Sequence, residues 1–184
     1  MVRKTTKKEL TEVVKTIRLY GNRMLEGLKE SELTWIPENT KGRSIESYLR
    51  HLLNSEVYWY TTIKDGLFEY FSRKNGFNDL KSSFKKHESK ILELIDIADD
   101  EALALIIPER EGENFQKFRR KGTLAWIIYR TSMHAIHHFG QIAYIRFSLE
   151  NPPADKIDGH SDPWGYIMDK LIFLAHSDDK IKSE

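Results

Sequence analysis

A chain of 184 residues with no cysteine is long enough to bury a core as one domain without staples, and it excludes disulfides, thiolate metal ligands and a protein thiol nucleophile. Its formal net charge of +1 supplies no overall field that would steer it to nucleic acid. The opening MVRKTTKKELTEVV has no apolar run behind its basic residues, and no stretch approaches the roughly 18 consecutive apolar residues of a membrane span, so the expectation is a cytoplasmic protein with neither a membrane nor a nucleic-acid partner.

The five prolines, Pro37, Pro108, Pro152, Pro153 and Pro163, fall between long helical patterns, which predicts an all-α protein. The first segment runs from about Thr6 to Glu30, with Leu10, Val13, Val14, Ile17, Tyr20, Met24, Leu25 and Leu28 at helical spacing and charged residues on much of the opposite face. Leu33 to Pro37 reads as a connection in which Trp35 packs across a bundle end. The second segment begins at Ser44, a good N-cap, and carries Ile45, Tyr48, Leu49, Leu52, Trp59, Tyr60 and Ile63 to about Asp65, with His51 beside that stripe.

Residues 66–77 form a break with Gly66, Asn75 and Gly76. The third segment, about Asn78 to Ala98, presents Leu80, Phe84, His87, Ile91, Leu94 and Ile95. Residues 99–121 lack a helical pattern; Leu103–Pro108 and Phe115–Phe118 read as two short strands, followed by a solvated turn at Arg119-Arg120-Lys121-Gly122. The fourth segment runs from an N-cap at Thr123 to about Leu149 and ends firmly at Asn151-Pro152-Pro153. A short fifth helix follows from Pro163-Trp164, within a C-terminal extension, residues 155–184, expected to pack on the bundle.

Four long amphipathic helices predict a four-helix bundle in a single domain spanning residues 1–184. The break after the second helix spans roughly 40 Å if extended, more than the roughly 30 Å of a 20-residue helix. A long crossover is therefore allowed, and simple up-down-up-down order is not forced.

The chemistry is concentrated in Met133-His134-Ala135-Ile136-His137-His138-Phe139-Gly140-Gln141-Ile142. His134 and His138 stand at i,i+4, on one helix face with Cβ atoms roughly 5–6 Å apart. A buried imidazole needs a polar partner, and one divalent ion satisfies two such rings together. A catalytic site wants three protein ligands and an open position; His51 is the best third candidate, with His87 as its rival. His137 is rotated away from His134 and reads as a residue beside the site or on the surface, and Gln141, one turn beyond His138, as a hydrogen-bonding neighbour. Tyr48 and Ser55 flank His51 at i−3 and i+4. Arg50 and Arg130 flank the histidine positions, as plain surface charge or as binders of the carboxylates of a small-molecule thiol cosubstrate. Ala135 stands where a zincin would carry its glutamate base, and the fourth stripe has no inward glutamates for a di-iron site. Neutral nitrogen ligands favour zinc or nickel over calcium or magnesium.

The segments His51-Leu-Leu-Asn-Ser-Glu56-Val-Tyr-Trp59 and His134-Ala-Ile-His137-His138-Phe-Gly140-Gln141-Ile142 resemble the DinB-like (YfiT-type) superfamily over about residues 5–150. The resemblance implies an up-down-down-up bundle with a long crossover after helix two, a metal held by His51, His134 and His138, and frequently a homodimer. Relatives of this kind include S-transferases that use bacillithiol, mycothiol or glutathione, and others described as damage-inducible proteins or metal-dependent hydrolases. The resulting expectation is a metal-dependent transferase that activates a low-molecular-weight thiol toward an electrophile. The alternatives are a metal-dependent hydrolase and a non-enzymatic, stress-associated metal-binding dimer. For hydrolysis, Glu56 is the obvious carboxylate base near His51, but i+5 points it about 140° away at roughly 100° per residue.

Overall fold

The computed structural model describes residues 6–38, 42–60, 68–99, 103, 106–107 and 122–153. They form α1 (Lys7–Leu25), the four-residue α2 (Glu30–Leu33), α3 (Ile45–Tyr60), α4 (Phe77–Ile97), a two-residue antiparallel pair of β1 (Ile106–Ile107) with β2 (Gly122–Thr123), and α5 (Leu124–Ser148). The fold is an all-α bundle, and none of these helices is long and apolar enough to cross a membrane.

Helix starts follow local chemistry. Thr6 caps α1 through a capping box, its backbone N–H donating to Glu9 Oε2 at 2.7 Å and its Oγ1 accepting from Glu9 N–H at 3.3 Å. Ser44 caps α3 as expected, its Oγ accepting from Ser47 N–H at 3.3 Å. The first predicted segment is too long by one turn. Gly27 takes φ +71, a left-handed conformation that ends helices readily, and the chain restarts as α2 before reaching Trp35, which packs on the core.

The order of neighbours follows from specific pairs. Lys7 Nζ donates to Asp96 O at 2.6 Å and the Arg18 guanidinium lies 4.1 Å from the Phe84 ring centroid, so α1 and α4 run antiparallel. Tyr20 meets Phe139 with ring centroids 5.9 Å apart, and Arg146 reaches the carbonyl of Met24 at 3.0 Å, so α1 and α5 run parallel. Tyr60 meets Thr131 at 3.4 Å and Tyr48 meets His138, so α3 and α5 run antiparallel. The four long helices are therefore up, down, down and up.

Two parallel neighbours in sequence require a crossover, and residues 68–76 supply its return. Phe68 packs on Tyr60 with centroids 5.6 Å apart. Phe71 exchanges two hydrogen bonds with the Asn54 side chain at 2.7 and 2.9 Å, and Asn75 O accepts from Arg50 at 3.0 Å. The chain thus runs back along α3 before starting α4.

Of the two short strands expected in the third connection, the first contains β1, which pairs with Gly122–Thr123. The Gly122-Thr123 extension leads straight into α5, so strand pairing positions that helix start. Residues 115–118, the basic turn at 119–121, the end of the second segment at 61–65, and the C-terminal extension with its Pro163-Trp164 helix lie outside the described residues.

The core forms two apolar clusters, one around Leu49, Leu53, Phe84, Phe139 and Ile142, the other around Leu10, Val57, Tyr60, Ile91 and Ile128. A polar layer lies between them. Glu56, 6% exposed, takes ion pairs from Arg18 and, at 2.9 Å, from His87 Nδ1. In the same layer Tyr60 donates to Thr131 Oγ1, whose own hydrogen is given to Ile127 O at 2.9 Å. Each buried polar group so paired escapes most of its desolvation cost.

Candidate metal centre

His51 on α3 faces His134 and His138 across the antiparallel α3–α5 seam. The ring centroids are 5.0 Å apart for His51–His134, 4.8 Å for His51–His138 and 4.5 Å for His134–His138. One ligand nitrogen from each lies within 4.8 Å of the others, and no fourth histidine, aspartate or glutamate joins the group among the described residues. The i,i+4 spacing places two rings on one face of α5, and the crossing of α3 supplies the third.

The hydrogen bonds set the nitrogens. Gln141 Oε1 can only accept, so His138 Nδ1 carries the proton and donates to it at 2.5 Å. That leaves His138 Nε2 as a bare lone pair, and it faces His134 Nε2 at 2.9 Å. Fixing one ring nitrogen by a hydrogen bond so that the other is free to ligate is the usual arrangement around metal-binding histidines.

Electrostatics favour the unprotonated rings. Burial, then Arg43 and His138, push His51 down to about 4. Burial, then the neighbouring histidines and Arg130, push His134 down to about 4. His138 also falls below its ordinary value, chiefly through burial and against the opposing bond to Gln141. Imidazoles held neutral near neutral pH present lone pairs, as a divalent cation requires. Two nitrogens on one tetrahedral zinc stand roughly 3.3 Å apart, given Zn–N distances of roughly 2.0–2.1 Å. The donor set therefore fits a zinc-like ion with only small side-chain adjustments.

The residues expected around the triad divide into two groups. Tyr48 is buried with its ring 5.2 Å from that of His138, and Gln141 is hydrogen-bonded to it. His137 is exposed, with its ring 4.9 Å from His138. Ser55 is half-buried, and no hydrogen bond links it to the three rings among the described residues. Arg130 turns its guanidinium toward the Trp59 ring at 5.8 Å. Arg50 is held by Glu46 at 2.6 Å and by Asn75 O, which ties it to the scaffold. His87, the rival third ligand, is committed to Glu56 and to the Phe68 ring at 4.0 Å. Glu56 likewise belongs to the buried polar layer and not to the triad.

A cleft of about 330 Å³ opens beside the triad, lined among others by Arg43, Tyr48, His137, Gln141, Tyr144 and Ile145. Arg43 and Tyr144 were not singled out by the sequence. The one available signal was the position of Arg43 directly before the Ser44 cap, which places it at the mouth of α3 beside Tyr48.

No curated protein and no solved structure matches the chain. The model of the DinB superfamily matches residues 21–142, a span that holds all three histidines and more than half of the chain. The chain therefore belongs to the DinB superfamily.

Proposed function

We propose that His51, His134 and His138 hold a divalent ion, zinc or nickel, and that the protein is a transferase that passes a low-molecular-weight thiol to an electrophile. The observation that carries this reading is the meeting of three neutral imidazoles, with no carboxylate among them in the described residues, one residue shell from an open cleft that Tyr48 and Gln141 line. An ion bound by three neutral ligands keeps its full positive charge and supplies the Lewis acidity that lowers the pKa of a thiol. The chain's own residues prepare the place. Gln141 holds His138 in the tautomer with Nε2 free, the Tyr48 ring packs against the His138 ring, and burial keeps His51 and His134 unprotonated. In the transfer, the thiol loses its proton to solvent, its sulfur forms the new bond to the electrophilic carbon, and the leaving group departs with the bonding pair.

Hydrolysis is the weaker reading. A water nucleophile wants a positioned base, and Glu56 is engaged with Arg18 and His87. No aspartate or glutamate lines the cleft among the described residues. The test uses the absence of cysteine from the chain. In cobalt-loaded protein, any thiolate-to-metal charge-transfer band must come from an added thiol. Titration with bacillithiol, glutathione and simple thiols is expected to produce that band, with turnover of a model electrophile. Absence of the band with every thiol contradicts the transferase reading.

A further inference from the structure

We infer that the cleft beside the triad selects small organic carboxylates with an apolar body, and that Arg43 is the residue that binds the carboxylate. The inference takes from the preceding reading only the location of the reactive centre. At about 330 Å³ the cleft lies within the roughly 300–1,000 Å³ range of small-molecule sites. It adjoins the triad through shared walls: Tyr48 and Gln141, which contact His138, also line it, while the three rings themselves do not. Tyr144, 66% exposed, and Ile145 extend an apolar wall along α5.

Arg43, itself exposed, is the one permanently charged lining residue among the described residues. It has no ion-pair partner among the described residues; the nearby acid Glu46 is committed to Arg50 at 2.6 Å. A planar guanidinium offers paired donors that match a carboxylate in a fork. One such cation balances a single negative charge, which favours a carboxylate over a doubly charged phosphate. The aromatic rings of Tyr48 and Tyr144 accommodate the apolar remainder of the ligand.

The test compares phenylacetate with its neutral isostere phenylacetamide by titration calorimetry, in metal-loaded and metal-free protein, with metal content measured on each sample. A charge-assisted hydrogen bond of this kind corresponds to about tenfold to a hundredfold in affinity. Phenylacetate is expected to bind tighter by that factor in both metal states. In Arg43→Gln the two probes are expected to come within about twofold of each other, with phenylacetamide binding retained and the circular dichroism spectrum unchanged. Equal binding of the two probes, no binding of either, or a preference that survives Arg43→Gln overturns the inference. A preference that survives the substitution only in the metal-loaded protein assigns anion binding to the ion and leaves the metal reading intact. An Arg43-dependent preference in protein that takes up no metal supports the cleft assignment while the metal reading fails.

Discussion

Gln141 Oε1 accepts a hydrogen bond from His138 Nδ1 at 2.5 Å, one turn apart on α5, and this bond decides which His138 nitrogen is free. A Gln141→Leu variant removes the acceptor while keeping the side-chain bulk. It is expected to fold normally and to lose about 10–100-fold in metal affinity, the usual effect of removing such a partner. Gln141→Glu keeps an acceptor and is expected to stay near wild type. Competition against a chromophoric chelator measures both, and an unchanged affinity in Gln141→Leu contradicts the role given to this bond.

Glu56 is buried between Arg18 and His87. Glu56→Ala strands a buried guanidinium and is expected to cost about 3–5 kcal/mol in urea unfolding. The pH dependence has a defined sign. Burial raises the Glu56 pKa, but Arg18 and His87 outweigh it and hold the carboxyl below its ordinary value of 4.5. A depressed folded-state pKa contributes stability that is fully present above 4.5 and is lost as pH falls through the folded value. Stability is therefore expected to decline on acidification below that point, with a shallower decline in Glu56→Gln. Identical acid limbs in the two proteins would contradict the assignment.

Gly21 lies where α1, α4 and α5 meet. A Cβ built there stands 2.3 Å from the Phe139 ring and 2.9 Å from the Phe84 ring. Those rings are 0% and 2% exposed, so neither can swing out to make room. Gly21→Ala is expected to lose about 1–3 kcal/mol by overpacking, even though alanine is about 1 kcal/mol the better helix former. Thermal unfolding measures the loss, and a stabilised variant contradicts this packing.

Arg146, 2% exposed, gathers the loose ends of the bundle. Its Nη1 donates to Met24 O at 3.0 Å and Glu26 O at 2.8 Å, and its Nε to Asn151 O at 2.9 Å. Arg146→Met fills the space but leaves buried carbonyls unpaired, at about 1–3 kcal/mol for each. Arg146→Lys retains charge but lacks the fork. Both are expected to lower the melting temperature, with faster proteolysis near Gly27. Wild-type stability in both variants would show that the fork is dispensable.

The four long helices were legible because their apolar stripes recur at helical period, and Ser44 announced its own helix start. The break at Gly27 was hidden because Leu28 and Leu33 continue the apolar pattern past the turn. The strand pair was legible only on one side: Ile106-Ile107 is β-branched, whereas Gly122-Thr123 carries no strand pattern of its own and reads as a turn and a helix cap. Of the site, the i,i+4 pair His134 and His138 was visible from spacing alone. The choice between His51 and His87 depends on which face of each helix meets α5, and helical spacing along one chain does not report it. The Arg18–Glu56–His87 layer was missed although its signal was present. Arg18 is i+4 from Val14 and Glu56 is i+4 from Leu52, opposite charges set on two apolar stripes.

The most direct measurement is metal stoichiometry by elemental analysis on the wild type and on His51→Ala, His134→Ala and His138→Ala, each verified as folded by circular dichroism. The predicted result is close to one divalent ion per chain in the wild type and loss of that ion in each variant, with His87→Ala retaining it to the extent that it folds. Full metal content in the three triad variants, or a wild type that takes up no stoichiometric ion, would contradict a metal centre at the α3–α5 seam.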